Sequence, residues 1–254
     1  MDVRKGWRKG AGTAMLAASL LGPSMADASV VISGTRVVYT EKEREVTVKL
    51  TNEGDKPSLV QAWIDAGDVN ALPSESNVPF TLTPPLFRLD PKKGQSLRIL
   101  YTGDPLPQDR ESLFWLNVLD VPPQAAEDPD APNMLQLAFR SRIKLFYRPT
   151  ALQGDAGEAA EQVRWNFAPK QGGGYVLEAN NPTPYHVTFS RIAVKAGAST
   201  WANELGGMVD PNATAKFDVG NVPSLPAGPI EVDYTYLSDY GAGVKGKYEP
   251  KVAR

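Results

Sequence analysis

Between residues 30 and 147 the apolar residues come in short runs that alternate with polar ones, and turn chemistry closes each run. A period of two with no sustained period of 3.6 confines this part of the chain to strands. The runs lie at 30–39, 45–52, 58–65, 80–89, 95–101, 111–121 and 134–147. Asn52-Glu53-Gly54-Asp55, Lys93-Gly94 and Gly103-Asp104-Pro105 separate several of them. Seven short antiparallel strands in about 120 residues is the immunoglobulin-like pattern. The chain has no cysteine, so the buried disulfide of antibody domains is excluded. Thiolate-held metals are excluded with it.

A composition shift follows, Pro149-Thr150-Ala151-Leu152-Gln153-Gly154-Asp155-Ala156-Gly157, rich in turn residues. Beyond it, strand-like runs resume at 163–167, 175–179, 186–194, 207–209, 213–219, 230–237 and 245–252. The 22 Gly and 22 Pro in 254 residues supply turns for many short strands. The expected fold is all-β: two immunoglobulin-like β-sandwich domains, 29–149 and 150–254, in an L-shaped arrangement. A cleft between two such domains is a natural ligand site.

Residues 1–28 read as a secretory signal peptide. Arg4, Lys5, Arg8 and Lys9 form a basic start, residues 11–22 a small apolar run, and Ala26-Asp27-Ala28 an A-x-A cleavage site. The apolar run is shorter than the roughly 20 residues that span a bilayer. Cleavage is expected after Ala28, with Ala26 as the alternative. The mature chain then holds 23 basic and 27 acidic residues, a net charge of −4. Such a leader on a disulfide-free chain fits a bacterial periplasm. That balance does not suggest a nucleic-acid partner.

Little in the chain supports catalysis. His186 is the only histidine, and its place in a predicted strand beside Tyr185 and Val187 favours a structural role. One histidine and no cysteine leave almost no route to a zinc site or a Cys-His nucleophile pair. Neither a nucleophile elbow nor a phosphate loop is present, so no nucleotide and no cofactor is expected. Gly172-Gly173-Gly174 reads as a hairpin turn, and the mixed charges at 41–45 as a solvated turn.

Residues 134–149 invite a binding reading. Leu135, Leu137 and Phe139 alternate with Gln136, Ala138 and Arg140, so the three large apolar groups share a face, and Lys144 follows. One reading is an ordinary core strand. The other is an edge given to a partner as an extra strand, where backbone bonds supply affinity and the alternating side chains fill pockets.

Several segments, in order, decide between these readings. They are 34–39 (Gly-Thr-Arg-Val-Val-Tyr), 60–65 (Val-Gln-Ala-Trp-Ile-Asp), 83–89 (Thr-Pro-Pro-Leu-Phe-Arg-Leu) and 106–117 (Leu-Pro-Gln-Asp-Arg-Glu-Ser-Leu-Phe-Trp-Leu-Asn). Then come 142–149 (Arg-Ile-Lys-Leu-Phe-Tyr-Arg-Pro), 181–185 (Asn-Pro-Thr-Pro-Tyr) and 237–242 (Leu-Ser-Asp-Tyr-Gly-Ala). Across nearly its whole mature length the chain resembles the periplasmic pilus chaperones of chaperone–usher systems. The resemblance implies that Arg36 and Lys144 hold a pilus subunit's terminal carboxylate, by a planar fork and a point charge. It implies that Leu135, Leu137 and Phe139 are donated to a pilin lacking its last strand. It further implies an interdomain charge network of Glu111, Arg148 and Asp239, and a cis Thr83–Pro84 peptide. The expected partners are pilus subunits (pilins and an adhesin) and an outer-membrane usher; whether the free chain self-associates is left open by the sequence. Lys144 has the opposite parity to the apolar row, and a twist or a bulge is needed to reconcile them. Thr40 stands where the family often has Pro, and Phe139 is bulkier than the common aliphatic residue. The short connection between 121 and 134 resembles the subgroup serving rod-like pili. The competing readings are a non-catalytic exported adhesin or other surface-binding sandwich protein, and a periplasmic hydrolase or sugar-binding protein.

Overall fold

The computed structural model describes residues 29–124, 136–225 and 228–249. The first sandwich has nine strands: β1 (Val30–Ile32), β2 (Arg36–Thr40), β3 (Val46–Asn52), β4 (Ser58–Asp65), β5 (Phe80–Thr83), β6 (Leu86–Leu89), β7 (Gly94–Tyr101), β8 (Ser112–Val121) and β9 (Phe139–Arg148). One sheet runs β1-β3-β7-β5 and the other β2-β9-β8-β4-β6. Alternation packs them face to face. Val48, Leu50, Leu97 and Ile99 from the first sheet meet Val60, Ile64, Leu116, Val118 and Leu145 from the second in one buried cluster.

Two runs that the sequence shows as single strands are each split. The run 30–39 breaks at Ser33–Thr35. β1 pairs with β3 in one sheet, while β2 pairs in parallel with β9 in the other. Gly34 at φ +118° makes the crossing, a conformation that L side chains rarely adopt. The run 80–89 breaks at the Thr83–Pro84 bond, which is cis. β5 and β6 then fall in different sheets.

The second sandwich holds β10 (Arg164–Pro169), β11 (Tyr175–Asn181), β12 (Val187–Ala196), β13 (Ser199–Asn203), β14 (Gly207–Val209), β15 (Ala213–Phe217), β16 (Glu231–Leu237) and β17 (Gly243–Tyr248). Its sheets are β10-β11-β15 and β13-β12-β16-β17, with β14 on β12. β13 was not legible as a run, because Ser199–Asn203 carries one large apolar residue, Trp201. Trp165, Leu177, Phe189, Ile192, Val232 and Tyr234 form the core. Gly172–Gly174 turn the β10–β11 hairpin, all at positive φ. Among the described residues α-helix is confined to one turn, α1 (Ala159–Gln162), behind a 3-10 turn whose Asp155 side chain accepts the Gly157 N–H at 2.8 Å.

Candidate functional site

The parallel register of β2 and β9 sets Arg36 opposite Lys144. Register partners share a face of the sheet, so two cations remote in sequence stand side by side. Both reach the second sandwich. Lys144 Nζ donates to Thr188 Oγ1 at 3.1 Å, and Arg36 Nη1 donates to the Leu237 carbonyl at 3.1 Å. The crevice between the sandwiches has a volume of about 230 Å³, lined by Arg36, Glu111, Phe146, Arg148 and Asp239 among others.

The electrostatics of the pair are unresolved within the chain. Burial pushes the Lys144 ammonium down to about 8, the Arg36 charge adds to the shift, and Asp210 opposes it. Burial likewise lowers Arg36, against the raising influence of Asp239 and Glu111. Arg36 Nε is buried with no hydrogen-bond partner. Neither cation enters an ion pair among the described residues, whereas the neighbouring Arg142 and Arg148 both do. Adjacent, partly buried like charges favour an added anion.

Arg148, Glu111 and Asp239 are brought together at the junction. Arg148 Nε donates to Glu111 Oε1 at 2.7 Å. Its two terminal nitrogens grip Asp239 at 2.7 and 2.9 Å. Burial disfavours the guanidinium charge, but Asp239 and Glu111 outweigh it and hold Arg148 above its ordinary value. Glu111 Oε2 accepts the His186 backbone N–H at 2.8 Å and faces its Nδ1 at 3.1 Å. The His186 ring packs on Phe146 with centroids 5.1 Å apart. The lone histidine is thus a buried joint between sandwiches, a role that its neighbours in sequence do not signal.

β9 is paired unequally along its length. β8 bonds it from Phe139 to Tyr147, but β2 reaches only Lys144 to Arg148. The crossing at Gly34 has sent β1 to the other sheet, so residues 139–143 have no strand on that side among the described residues. Leu137 and Phe139 are 51% and 50% exposed. With Pro57, Pro122, Pro123 and Asp120 they wall a groove of about 340 Å³. Gln136 Nε2 donates to the Pro122 and Pro123 carbonyls at 2.9 and 2.8 Å, tying the approach to β9 in place. Leu135 lies outside the described residues.

No bulge breaks the β8–β9 register. The parity difference noted in the sequence is therefore real: Phe139 shares the inward face with Ile143, Leu145 and Tyr147, and Lys144 lies on the opposite face. That outer face also holds residues the sequence reading missed. Arg140 lies over Trp63 at 4.7 Å, and Arg142 over Trp115 at 4.1 Å. Arg142 also pairs with buried Asp65. The even-numbered cations of β9 were a visible hint, but their aromatic partners follow only from cross-strand register.

Two immunoglobulin-like sandwiches meet at a crevice beside the Arg36–Lys144 pair, and a half-unpaired strand leads into it, an arrangement suited to binding an extended chain. A model of the pili and flagellar-assembly chaperone family, PapD N-terminal domain, matches residues 29–153. A model of the pili assembly chaperone PapD, C-terminal domain, matches residues 158–248. The chain belongs to this family of pilus-assembly chaperones. It is 45% identical over 241 residues to the chaperone protein FimB/FhaD of Bordetella pertussis, covering 92% of this chain and 94% of that one. The crystal structure of the YadV chaperone superposes with a TM-score of 0.73 at 39% identity, over 87% of this chain and all of that chain. The Salmonella enterica SafA pilin in complex with the SafB chaperone matches with a TM-score of 0.69 at 30% identity, over 87% and 96%. The family is one of chaperones, which sets aside the adhesin and hydrolase readings.

Proposed function

We propose that this chain is exported to the periplasm by residues 1–28, loses them after Ala28, and there holds pilus subunits by donating a strand. The observation that carries this reading is the half of β9 paired on one side only, running into two adjacent cations that enter no ion pair among the described residues. The C-terminal segment of the incomplete subunit pairs along the 139–143 edge, and its terminal carboxylate reaches Arg36 and Lys144. Chaperone–pilin strand donation is itself a standard instance of strand-addition recognition.

The energetics follow from the geometry. Leu135, Leu137 and Phe139 fill the groove that the incomplete subunit exposes, each worth about 1.5 to 3 kcal/mol when fully buried, before ordering costs. The carboxylate anchor fixes the register, because a slip of one residue turns the whole row to the wrong face. The row and the anchor need not share a face: an added strand reaches Lys144 from the edge, while Phe139 projects from the sheet. Holding the subunit this way covers a surface that would otherwise aggregate. Release needs no nucleotide. It proceeds by strand exchange at the outer-membrane usher. In this reading the domains are 29–149 and 150–254, and Glu111, Arg148 and Asp239 hold the angle between them.

Arg36→Ala and Lys144→Ala test the anchor. Each is expected to abolish recovery of a one-to-one complex with a small pilin-like protein from periplasm, with the chaperone's circular dichroism unchanged. Normal subunit yield from either variant would overturn the reading.

A further inference from the structure

At the far end of the first sandwich, Asp120 is the last inward-facing residue of β8, opposite Phe139 in register. It is only 6% exposed. Its Oδ2 accepts a hydrogen bond from Ser29 Oγ. Its Oδ1 is buried with no hydrogen-bond partner. Asp120 enters no ion pair among the described residues, although Lys56 lines the same groove. A buried carboxylate without a cation is strongly disfavoured, so this position calls for one.

Ser29 is held firmly beside it. Its carbonyl accepts the Glu53 N–H at 2.7 Å, and its hydroxyl lies 3.2 Å from Ser58 Oγ. The next residue, Val30, starts β1 opposite Asn52. The Ser29 nitrogen is three bonds from the hydroxyl that touches Asp120, so covalent geometry keeps it within about 4 Å of that oxygen. Hydrolysis of the Ala28–Ser29 bond, with water as co-reactant, leaves a carboxylate on Ala28 and an ammonium on Ser29. Leader removal after Ala28 would therefore set a cation beside a carboxylate that has no ion-pair partner among the described residues.

We propose that the α-ammonium of Ser29 docks on the Asp120 carboxylate and closes the end of the sandwich beneath Leu137 and Phe139. The inference rests on the leader reading above and deepens it. Export then has a structural consequence: the wall beside the donated row is completed only in the mature chain. The site takes a primary ammonium with three donors, and it discriminates by position. Cleavage after Ala26 would leave two further residues, one of them Asp27, in its way.

The test uses exported protein. Intact mass fixes the first residue, expected to be Ser29. Thermal unfolding is then compared for the native chain and Asp120→Asn, each with and without a Gly-Ser insertion between Ala28 and Ser29. The insertion keeps the cleavage site and moves the ammonium away. Asp120→Asn is expected to lower the midpoint by roughly 3–8 °C in the native-start chain. In the extended chain the loss should be less than about a third of that. Equal losses in both backgrounds overturn the inference while leaving the leader reading intact, and a mature chain starting at Asp27 overturns the inference and the Ala28 cleavage site but not export by the leader. Cancellation of the Asp120→Asn effect by Lys56→Gln also overturns it, by naming Lys56 as the partner. Should Asp120→Asn fail to accumulate, NMR titration of the native-start α-amino group decides. A value above the ordinary range of about 7.7–8.0 supports docking, and an ordinary value refutes it.

Discussion

In β9, Leu145 and Tyr147 are fully buried, whereas Phe139, on the same face of the same strand, is half exposed, as is Leu137 just ahead of it. The alternation is continuous, so patterning does not account for the difference. What differs is the company. The second half of β9 lies between β2 and β8 and ends in a cluster where Tyr147 packs on Tyr101 at 4.6 Å and Tyr39 at 6.2 Å. Among the described residues the first half has β8 alone, because the chain crossed sheets at Gly34. One strand is thus core at one end and half exposed at the other, the end that the proposed function lends to a partner. The lesson is that an apolar row reports the capacity for burial, and the neighbouring strands decide who does the burying.

Truncating one residue on each side of the divide would break or sharpen this contrast. Leu145→Ala should cost about 2–5 kcal/mol of folding stability, read by denaturant unfolding, because it opens a cavity in a closed core. Leu137→Glu should leave unfolding within about 0.5 kcal/mol of the parent and yet lose the copurifying subunit. A large destabilisation from Leu137→Glu would show that the first half is core after all.

A smaller effect separates the ends by pH. Lys144 sits at about 8 in the free chain, held down by burial and by Arg36. A bound carboxylate favours its charged form, so affinity is full below that value and falls as pH rises through it. Binding of a carboxylate-ended subunit peptide, measured by calorimetry, should weaken by up to about tenfold per pH unit above 8, until the bound-state value is passed. Folding stability of the free chain moves the other way between about 8 and the ordinary lysine value, since the unfolded chain keeps its proton longer. Affinity that stays flat to pH 9.5 would remove Lys144 from the anchor.

The smallest change concerns the joint. Asp239 is partly exposed where it meets Arg148, so Asp239→Asn should cost under about 1 kcal/mol. Its expected signature is a broader distribution of interdomain angles in small-angle scattering. An unchanged distribution would assign the angle to the Glu111–His186 contact instead.

The sequence by itself determined the all-β class, most of the strand runs, the pair of sandwiches, the apolar row and the cations of residues 36 and 144. All of these are written in local alternation, turn residues or short motifs. Only the tertiary structure decided that the 30–39 run splits between sheets, that Arg36 and Lys144 are register partners, and that His186 closes the joint. It also decided that Asp120 lies against Ser29. Each of these depends on which strand lies beside which. Strand pairing joins residues far apart in the chain, and one-dimensional alternation carries no record of the neighbour across the ladder.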